Sequence, residues 1–595
     1  MSKNTLPNLE ALRDEMKRVH VDAVIIPGTD AHQSEYVCEH WKIRDWLTGF
    51  TGSNGTAVVT LNDAKVWTDS RYFLQATAQL EGSGFEMMKE DVPGEPTLTE
   101  WLAQNMKMDD VLAVDGTLFS IVKANELENF CGENGFRFAA DFAPFDKLWE
   151  NRPARPQGEV YVHDEKYAGE SVEHKINRVL EVVEKQGADA IFFAGLDETA
   201  WLLNIRCDDV AYTPVAICYS YISAGKKALF IDETKINDAV REHLNANGVE
   251  ILPYEEVAEF LGKISNDKYV MIDPNRVSDT LGRAMDCGKV YAQSPIMAFK
   301  AIKNDVQIAG VRKAMERDGV ALVKMYRWLE ANVAGGQITE MGIAQKLIDF
   351  RAENELYRDE SFGMIAGYKE HGAIVHYSAT PETNATVKPE GMLLVDTGAQ
   401  YLDGTTDITR TITLGNTTEE EKHDYTLVLK GHIAIITQIF PAGTRGAQLD
   451  PLARQFMWRE NKLYLHGTGH GVGHFLGVHE GPQSIRLNEN PTPMMPGMIT
   501  SDEPGLYLAG KYGIRIENLT LVVPADHSEE FGDFYKFEPL TLYPYESKLI
   551  DVKMLTDQEL EYVNSYNEMV RVRLTPYLNA EEAAWLAEKT AKIER

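Results

Sequence analysis

Three stretches of the sequence gather carboxylates and imidazoles in patterns that could hold metal ions. In the first, the apolar run Leu393-Leu-Val ends at Asp396, and a turn containing Asp403-Gly404 follows. The next residues alternate as a strand, with Ile408, Ile412 and Leu414 on one face and Asp407, Thr409 and Thr411 on the other. Asp396 and Asp407 are 11 apart in the chain, so a hairpin loop of about four or five residues would set them opposite each other. Two carboxylates that close repel unless positive charge lies between them, and a pair of metal ions supplies it. Taken alone, the stretch is equally well read as a turn aspartate at 403 and a solvated strand aspartate at 407.

The second stretch runs from Leu465 to Pro482. His466, His470 and His479 fall within 14 residues that also hold five glycines. Imidazole is a frequent metal ligand and a ready acid or base, and glycines let the backbone approach a ligand closely. The run is not a G-x-G-x-x-G dinucleotide loop, because Val472 and His474 stand where glycines are required. It is not H-E-x-x-H either, because His479-Glu480 is followed by Gln483. No P-loop and no G-x-S-x-G elbow occurs in the chain. The third stretch carries Glu503 ahead of a Pro504-Gly505 turn and then Glu517 on an alternating run, Gly513–Leu519. Arg515 and Glu517 are two apart and are expected on one face of that strand.

Together these residues make a set of two Asp, one His and two Glu. Carboxylates dominate and thiolates are absent, which suits Mn²⁺, Co²⁺ or Zn²⁺. Four carboxylates and one imidazole can hold two ions about 3.5 to 4 Å apart through bridging groups. Two such ions lower the pKa of a shared water and furnish hydroxide near neutral pH. Hydrolysis of an amide or a related bond is the natural chemistry.

The elements that must position this set occupy the second half of the chain. A segment from about 301 opens with an amphipathic helix marked by Ile308, Val311, Met315, Leu322, Met325 and Leu329. Residues 391–523 read as strand-rich, with Gly and Pro turns. A charged, helix-like tail follows 545 and is expected to pack on this segment. Ahead of it lie two segments that echo each other, separated by the Pro-rich linker Asn151–Gly158. Asp22-Ala-Val-Ile-Ile returns loosely as Asp189-Ala-Ile-Phe-Phe, and Trp46-Leu-Thr-Gly-Phe as Trp201-Leu-Leu-Asn-Ile. Two copies of one α/β unit are expected.

The bulk properties narrow the partners. Lys and Arg total 59 against 91 Asp and Glu, a net charge of -32. Such a surface repels phosphate backbones and anionic membranes, so neither nucleic acid nor membrane is an expected partner. No apolar stretch is long enough to span a bilayer, and Met1–Arg13 has no apolar run that would read as a secretory leader. Cys38, Cys131, Cys207, Cys218 and Cys287 are an odd number, widely spaced and without C-x-x-C. A reducing, cytoplasmic compartment is expected rather than a disulfide framework.

The order and spacing of Asp396, Asp407, His470, Glu503 and Glu517 resemble those of the Xaa-Pro aminopeptidases, of the pita-bread metallopeptidase superfamily. The resemblance extends to Ala31-His-Gln-Ser-Glu-Tyr36, Trp67-Thr-Asp-Ser-Arg-Tyr-Phe73, Asp197-Glu-Thr-Ala-Trp201 and Phe537-Glu-Pro-Leu540, which look like the family's longer, three-domain cytosolic form. It implies two creatinase-like α/β domains at 1–150 and 159–300. A pita-bread catalytic domain with a curved, mostly antiparallel sheet follows at 301–544, with a helical extension at 545–595. It further implies a homodimer and two divalent ions, Mn²⁺ ahead of Zn²⁺ or Co²⁺. Asp396 would bind one ion, Asp407 and Glu517 would bridge, and His470 and Glu503 would complete the second ion's shell. Glu503 is also the candidate general base. His376 matches a histidine that stabilises the tetrahedral intermediate or the leaving proline nitrogen. His466 and His479 match histidines of the substrate site, with His479 also a candidate catalytic group. Arg515 matches an arginine that orients Glu517, and Arg71, in the first segment, is expected to approach the cleft as a substrate-binding residue. The chain departs from the family at His474, where relatives often carry a smaller residue.

The expected reaction is hydrolysis of the bond between an N-terminal residue and a following proline, on peptide substrates. The alternative is a prolidase acting on Xaa-Pro dipeptides, which would share all five ligands but lack the extra N-terminal segment. Creatinase-type hydrolases and non-enzymatic binding proteins on this fold would be expected to have lost ligands that are all present here.

Overall fold

The computed structural model describes residues 5–595. In the first half, the Ala23–Ile26 strand is buried at every position, as a strand covered on both faces must be. It pairs antiparallel with Thr56–Thr60 and parallel with Val111–Ala113. Numbered along the chain, the six strands of this sheet stand in the order 4-3-2-1-5-6. The second copy is built around Ala190–Phe193, which pairs antiparallel with Tyr219–Ser223 and parallel with Tyr269–Ile272. Numbered from its own first strand, its six-stranded sheet has the same order. Trp46 and Trp201 lie on equivalent short helices, Ile43–Thr48 and Leu196–Leu202, each following the first strand of its sheet. The duplication expected from the sequence is therefore present. The linker 151–158 carries neither helix nor strand.

These two copies form one compact unit, Met1–Glu165 with Glu170–Met297. His32, from the Ala31–Tyr36 motif, is buried between them. Its Nδ1 is 2.8 Å from the Ala194 carbonyl and its Nε2 is 2.9 Å from the Tyr254 hydroxyl.

A second unit comprises Lys166–Gly169 and Ala298–Arg595. Its long helix, Asp305–Asn332, starts at a capping box in which Asn304 and Gln307 satisfy each other's backbone N–H. Val311, Met315, Leu322, Met325 and Leu329 are buried along it, as the spacing predicted, and Ile308 packs at the edge of the same core. The tail helices Asp557–Leu574 and Ala580–Lys589 contribute Val563, Tyr566, Val570, Leu574 and Leu586 to that core. Each such side chain stabilises the fold by about 1.5–3 kcal/mol relative to exposure.

Two sheets carry the chemistry-bearing residues. One is three-stranded and antiparallel: Ile365–Tyr368, Met392–Thr397 and Ile408–Thr413. The other is six-stranded, every pair antiparallel, and includes Gly469–Gly471, Glu480–Ile485, Ile499–Asp502 and Asn518–Ser528.

The structure corrects two local expectations. Asp396 does not face Asp407; its partner is Thr409, and Thr397 faces Ile408. The connection holds an inner hairpin that pairs Tyr401 with Gly404, so the turn centres one residue later than supposed. Asp396 and Asp407 end as diagonal neighbours on one face. Nor is Gly513–Leu519 one strand. It breaks after Arg515, and Glu517 precedes a new strand that begins at Asn518. No helix among the described residues is long and apolar enough to cross a membrane.

Candidate metal centre

The strand Met392–Thr397 is buried throughout and delivers Asp396 near its end. Asp407 lies just ahead of the neighbouring strand and is 3% exposed, which excludes the solvated reading. Asp403 forms an ion pair with Arg317 and is a structural turn residue. The second sheet delivers His470 from Gly469–Gly471, Glu503 just past Ile499–Asp502, and Glu517 just before Asn518–Ser528. A Cβ at position 469 would sit 2.0 Å from the Ser501 carbonyl oxygen. Only glycine lets the strand bearing His470 come this close to the strand leading to Glu503.

Ligand atoms of Asp407, His470 and Glu517 all lie within 4.8 Å of one another. His470 Nδ1 is 3.0 Å from the Gly471 carbonyl, a contact that needs an Nδ1–H, so Nε2 is the ring nitrogen turned toward the acids. That Nε2 is 3.5 Å from Asp407 Oδ2 and 3.4 Å from Glu503 Oε1. Ser501 donates a hydrogen bond to Glu503 Oε1 at 3.2 Å, and Thr409 donates to Glu517 Oε2 at 2.8 Å.

Electrostatics tie the remaining aspartate to this group. Burial, with the charges of Asp407, Glu503 and Asp396, raises the Glu517 carboxyl well above its ordinary range. Burial also pushes Asp407 up to about 6; Asp396 and Glu503 add to the rise, and the hydrogen bond with His470 opposes it. Burial lowers His470, but Asp407 and Glu503 outweigh it and raise the imidazole to about 9. Beside burial, the neighbouring acids act the same way in all three: they add to the rise of the carboxyls and favour the charged imidazole. Asp396 Oδ1 and Asp407 Oδ1 are buried without a hydrogen-bond partner, an arrangement that is costly unless a cation completes it. Four carboxylates, two of them with an orphaned oxygen, and one imidazole fit hard or borderline divalent ions.

Arg515 differs from the expectation. Its Nη2 pairs with Asp396 Oδ2 at 2.5 Å, not with Glu517. It reaches Glu517 only through Thr409, whose hydroxyl accepts from Arg515 Nε at 3.1 Å and donates to Glu517. The strand break at Ile516 is the reason, since it removes the shared face. Arg515 Nη1 also donates to the Tyr507 hydroxyl at 2.7 Å, which lies 2.8 Å from His466 Nε2. His466 is thereby linked to Asp396 through two side chains.

The His479 ring stands edge-on to His470, with centroids 4.4 Å apart. His376 is partly exposed in the turn after the short helix Lys369–Ala373. Glu340 fixes that turn by accepting from the Tyr377 hydroxyl and the Tyr368 N–H, each at 2.9 Å. His474 is buried, 4% exposed, in the Gly471–Glu480 loop. Arg71 belongs to the other unit, where it chelates Asp69 with bonds of 2.9 and 2.7 Å. Thr409, Ser501 and Tyr507 were not anticipated. Period-two spacing offered a signal for the first two, since each lies two residues from an acid on the same strand run.

Comparison with known proteins agrees with this geometry. Residues 309–524 match the model for metallopeptidase family M24, and 533–593 match the C-terminal region of peptidase M24. Residues 8–148 and 151–307 each match a creatinase/prolidase N-terminal domain. Aminopeptidase P2 of Arabidopsis thaliana is 37% identical over 97% of this chain and 87% of its own length. Xaa-Pro aminopeptidase 1 of Dictyostelium discoideum is 38% identical over 97% of this chain and 95% of its own length. The solved X-prolyl aminopeptidase of Caenorhabditis elegans, described as a cytosolic enzyme with a di-nuclear active site, superposes with a TM-score of 0.95 at 33% identity. That match covers 99% of this chain and 100% of that one. A duplicated creatinase-type unit ahead of a pita-bread half, with the acids and imidazole of a metal centre gathered in that half, places the chain among the Xaa-Pro aminopeptidases of metallopeptidase family M24.

Proposed function

We propose that the protein removes the residue preceding a proline at the N-terminus of peptides, using two divalent ions held by Asp396, Asp407, His470, Glu503 and Glu517. The observation that carries this reading is the convergence of Asp407, His470 and Glu517 within 4.8 Å, joined by two more acids whose charges act on them. Bound ions of this type, Mn²⁺ first among Mn²⁺, Zn²⁺ and Co²⁺, supply a water of lowered pKa and polarise the scissile carbonyl.

The protein's own groups do the rest. Asp407 and Glu517 would be shared between the two ions, while Thr409 and Arg515 hold Glu517 and Asp396 in place. Glu503, oriented by Ser501, accepts the proton of the attacking water and returns it to the departing nitrogen. His376 and His479 offer ring N–H groups to the developing oxyanion and the leaving nitrogen. His466 lines the substrate site, oriented by Tyr507. The bond before proline is a tertiary amide with no N–H, which general aminopeptidases handle poorly and a dedicated site serves.

We take the chain as domains 1–150, 159–300 and 301–544 with a helical extension, 545–595. Trp458, Leu463 and Leu465, close together in sequence, are 45%, 56% and 63% exposed, and large exposed apolar side chains of this kind support a homodimer. Five buried free thiols support a reducing, cytoplasmic setting.

Cleavage of a tripeptide with proline second, set against the matching Xaa-Pro dipeptide, tests the reading. Release of the first residue from the tripeptide is expected. Cleavage of the dipeptide alone establishes a prolidase instead.

A further inference from the structure

Lys300 and Glu480 form an ion pair of 2.6 Å with side chains only 2% and 4% exposed. Breaking such a pair leaves a buried charge uncompensated. Glu480 follows His479 directly, and its position governs the loop that carries that histidine. Its backbone pairs with Gly471, beside His470. Its Oε1 accepts the Gly477 N–H at 3.1 Å, while the Gly473 N–H donates to the Gly477 carbonyl at 2.9 Å. The carboxylate fills the space that a side chain at 473 would need, since a Cβ there would sit 2.5 Å from Oε1. Lys300 lies near the end of the helix Pro295–Ala301, outside the loop, so its charge anchors the loop from a separate element.

We propose that Glu480, held by Lys300, is a positioning residue that sets His479 against His470 and so keeps the substrate-facing imidazole in register with the metal ligand. Glu480 touches no reacting atom; it acts through His479. The inference rests on the peptidase reading above and deepens it.

The test is a double-mutant cycle on Xaa-Pro-Yaa cleavage with His479→Ala, Glu480→Gln and the two combined. Circular dichroism and metal content serve as controls on every variant. Glu480→Gln alone is expected to lower kcat by roughly ten- to a hundredfold with little change in KM. In the His479→Ala background the same change is expected to cost less than about threefold, because the group it positions is gone. An equal loss in both backgrounds overturns the inference. Where Glu480→Gln fails to fold, Glu480→Asp takes its place: it keeps the charge for Lys300 and withdraws the carboxylate by one methylene. The same non-additivity is required of it. Failure of the wild type to cleave the tripeptide sinks the peptidase reading instead, so the two failures are distinguishable.

Discussion

Arg515 Nη2 lies 2.5 Å from Asp396 Oδ2, both side chains buried, and its Nε donates at 3.1 Å to the Thr409 hydroxyl that in turn holds Glu517. One guanidinium thus sets the orientation of two acids from different sheets. It occupies one oxygen of Asp396 and leaves Oδ1 without a hydrogen-bond partner. The positions of the acids are therefore fixed by the protein before any ion arrives, which is what a preorganised site requires.

Removal of a bridging carboxylate should collapse the centre. Asp407→Ala is expected to lose metal, as measured by plasma mass spectrometry, and to lower kcat/KM by about a thousandfold or more, equivalent to roughly 4 kcal/mol. Mn²⁺ should raise the melting temperature of the wild type and leave that of the variant unmoved. A variant that keeps its full metal content and activity refutes the bridging role.

The hydroxyl that joins Arg515 to Glu517 should matter although it binds no ion. Thr409→Val keeps the shape and removes the relay. Metal affinity by calorimetry is expected to fall ten- to a hundredfold, in the range found for outer partners of metal ligands. Arg515→Lys should do the same, because an ammonium cannot serve Asp396, Thr409 and Tyr507 with one planar fork. Unchanged affinity in both variants contradicts this account.

A pH effect on stability should arise near His376. His371 Nδ1 lies 2.8 Å from the buried Glu340. That hydrogen bond, opposed by burial, raises the imidazole above its ordinary value. A raised folded-state value means the contribution is fully present below the unfolded pKa, about 6.5. It is lost as pH rises through the higher folded value. The denaturation midpoint of the wild type should therefore exceed that of His371→Gln by more at pH 6 than at pH 9. A constant difference across that range removes the pair from the stability account.

Much of this was legible in the residues, for stated physical reasons. The duplicated α/β unit showed itself because a strand buried on both faces must be continuously apolar, as Ala23–Ile26 and Ala190–Phe193 are. The five candidate ligands stood out because two Asp, two Glu and a His in Gly-rich surroundings have few structural uses together. What stayed hidden was register and partnership. The offset of Asp396 from Asp407 depends on an inner hairpin that shifts the turn by one residue. Arg515 took Asp396 rather than Glu517 because the strand breaks at Ile516, a break no local residue announces. Thr409 shares a face with Asp407 in the sequence, but its bond to Glu517, like that of Ser501 to Glu503, shows only in the fold.

The most direct test of the metal centre is to count ions on the purified protein and follow Xaa-Pro-Yaa cleavage before chelation, after it, and after refilling with Mn²⁺. The account predicts about two ions per chain, loss of first-residue release with the chelator, and its return on refilling. Full cleavage by protein stripped of metal would contradict it.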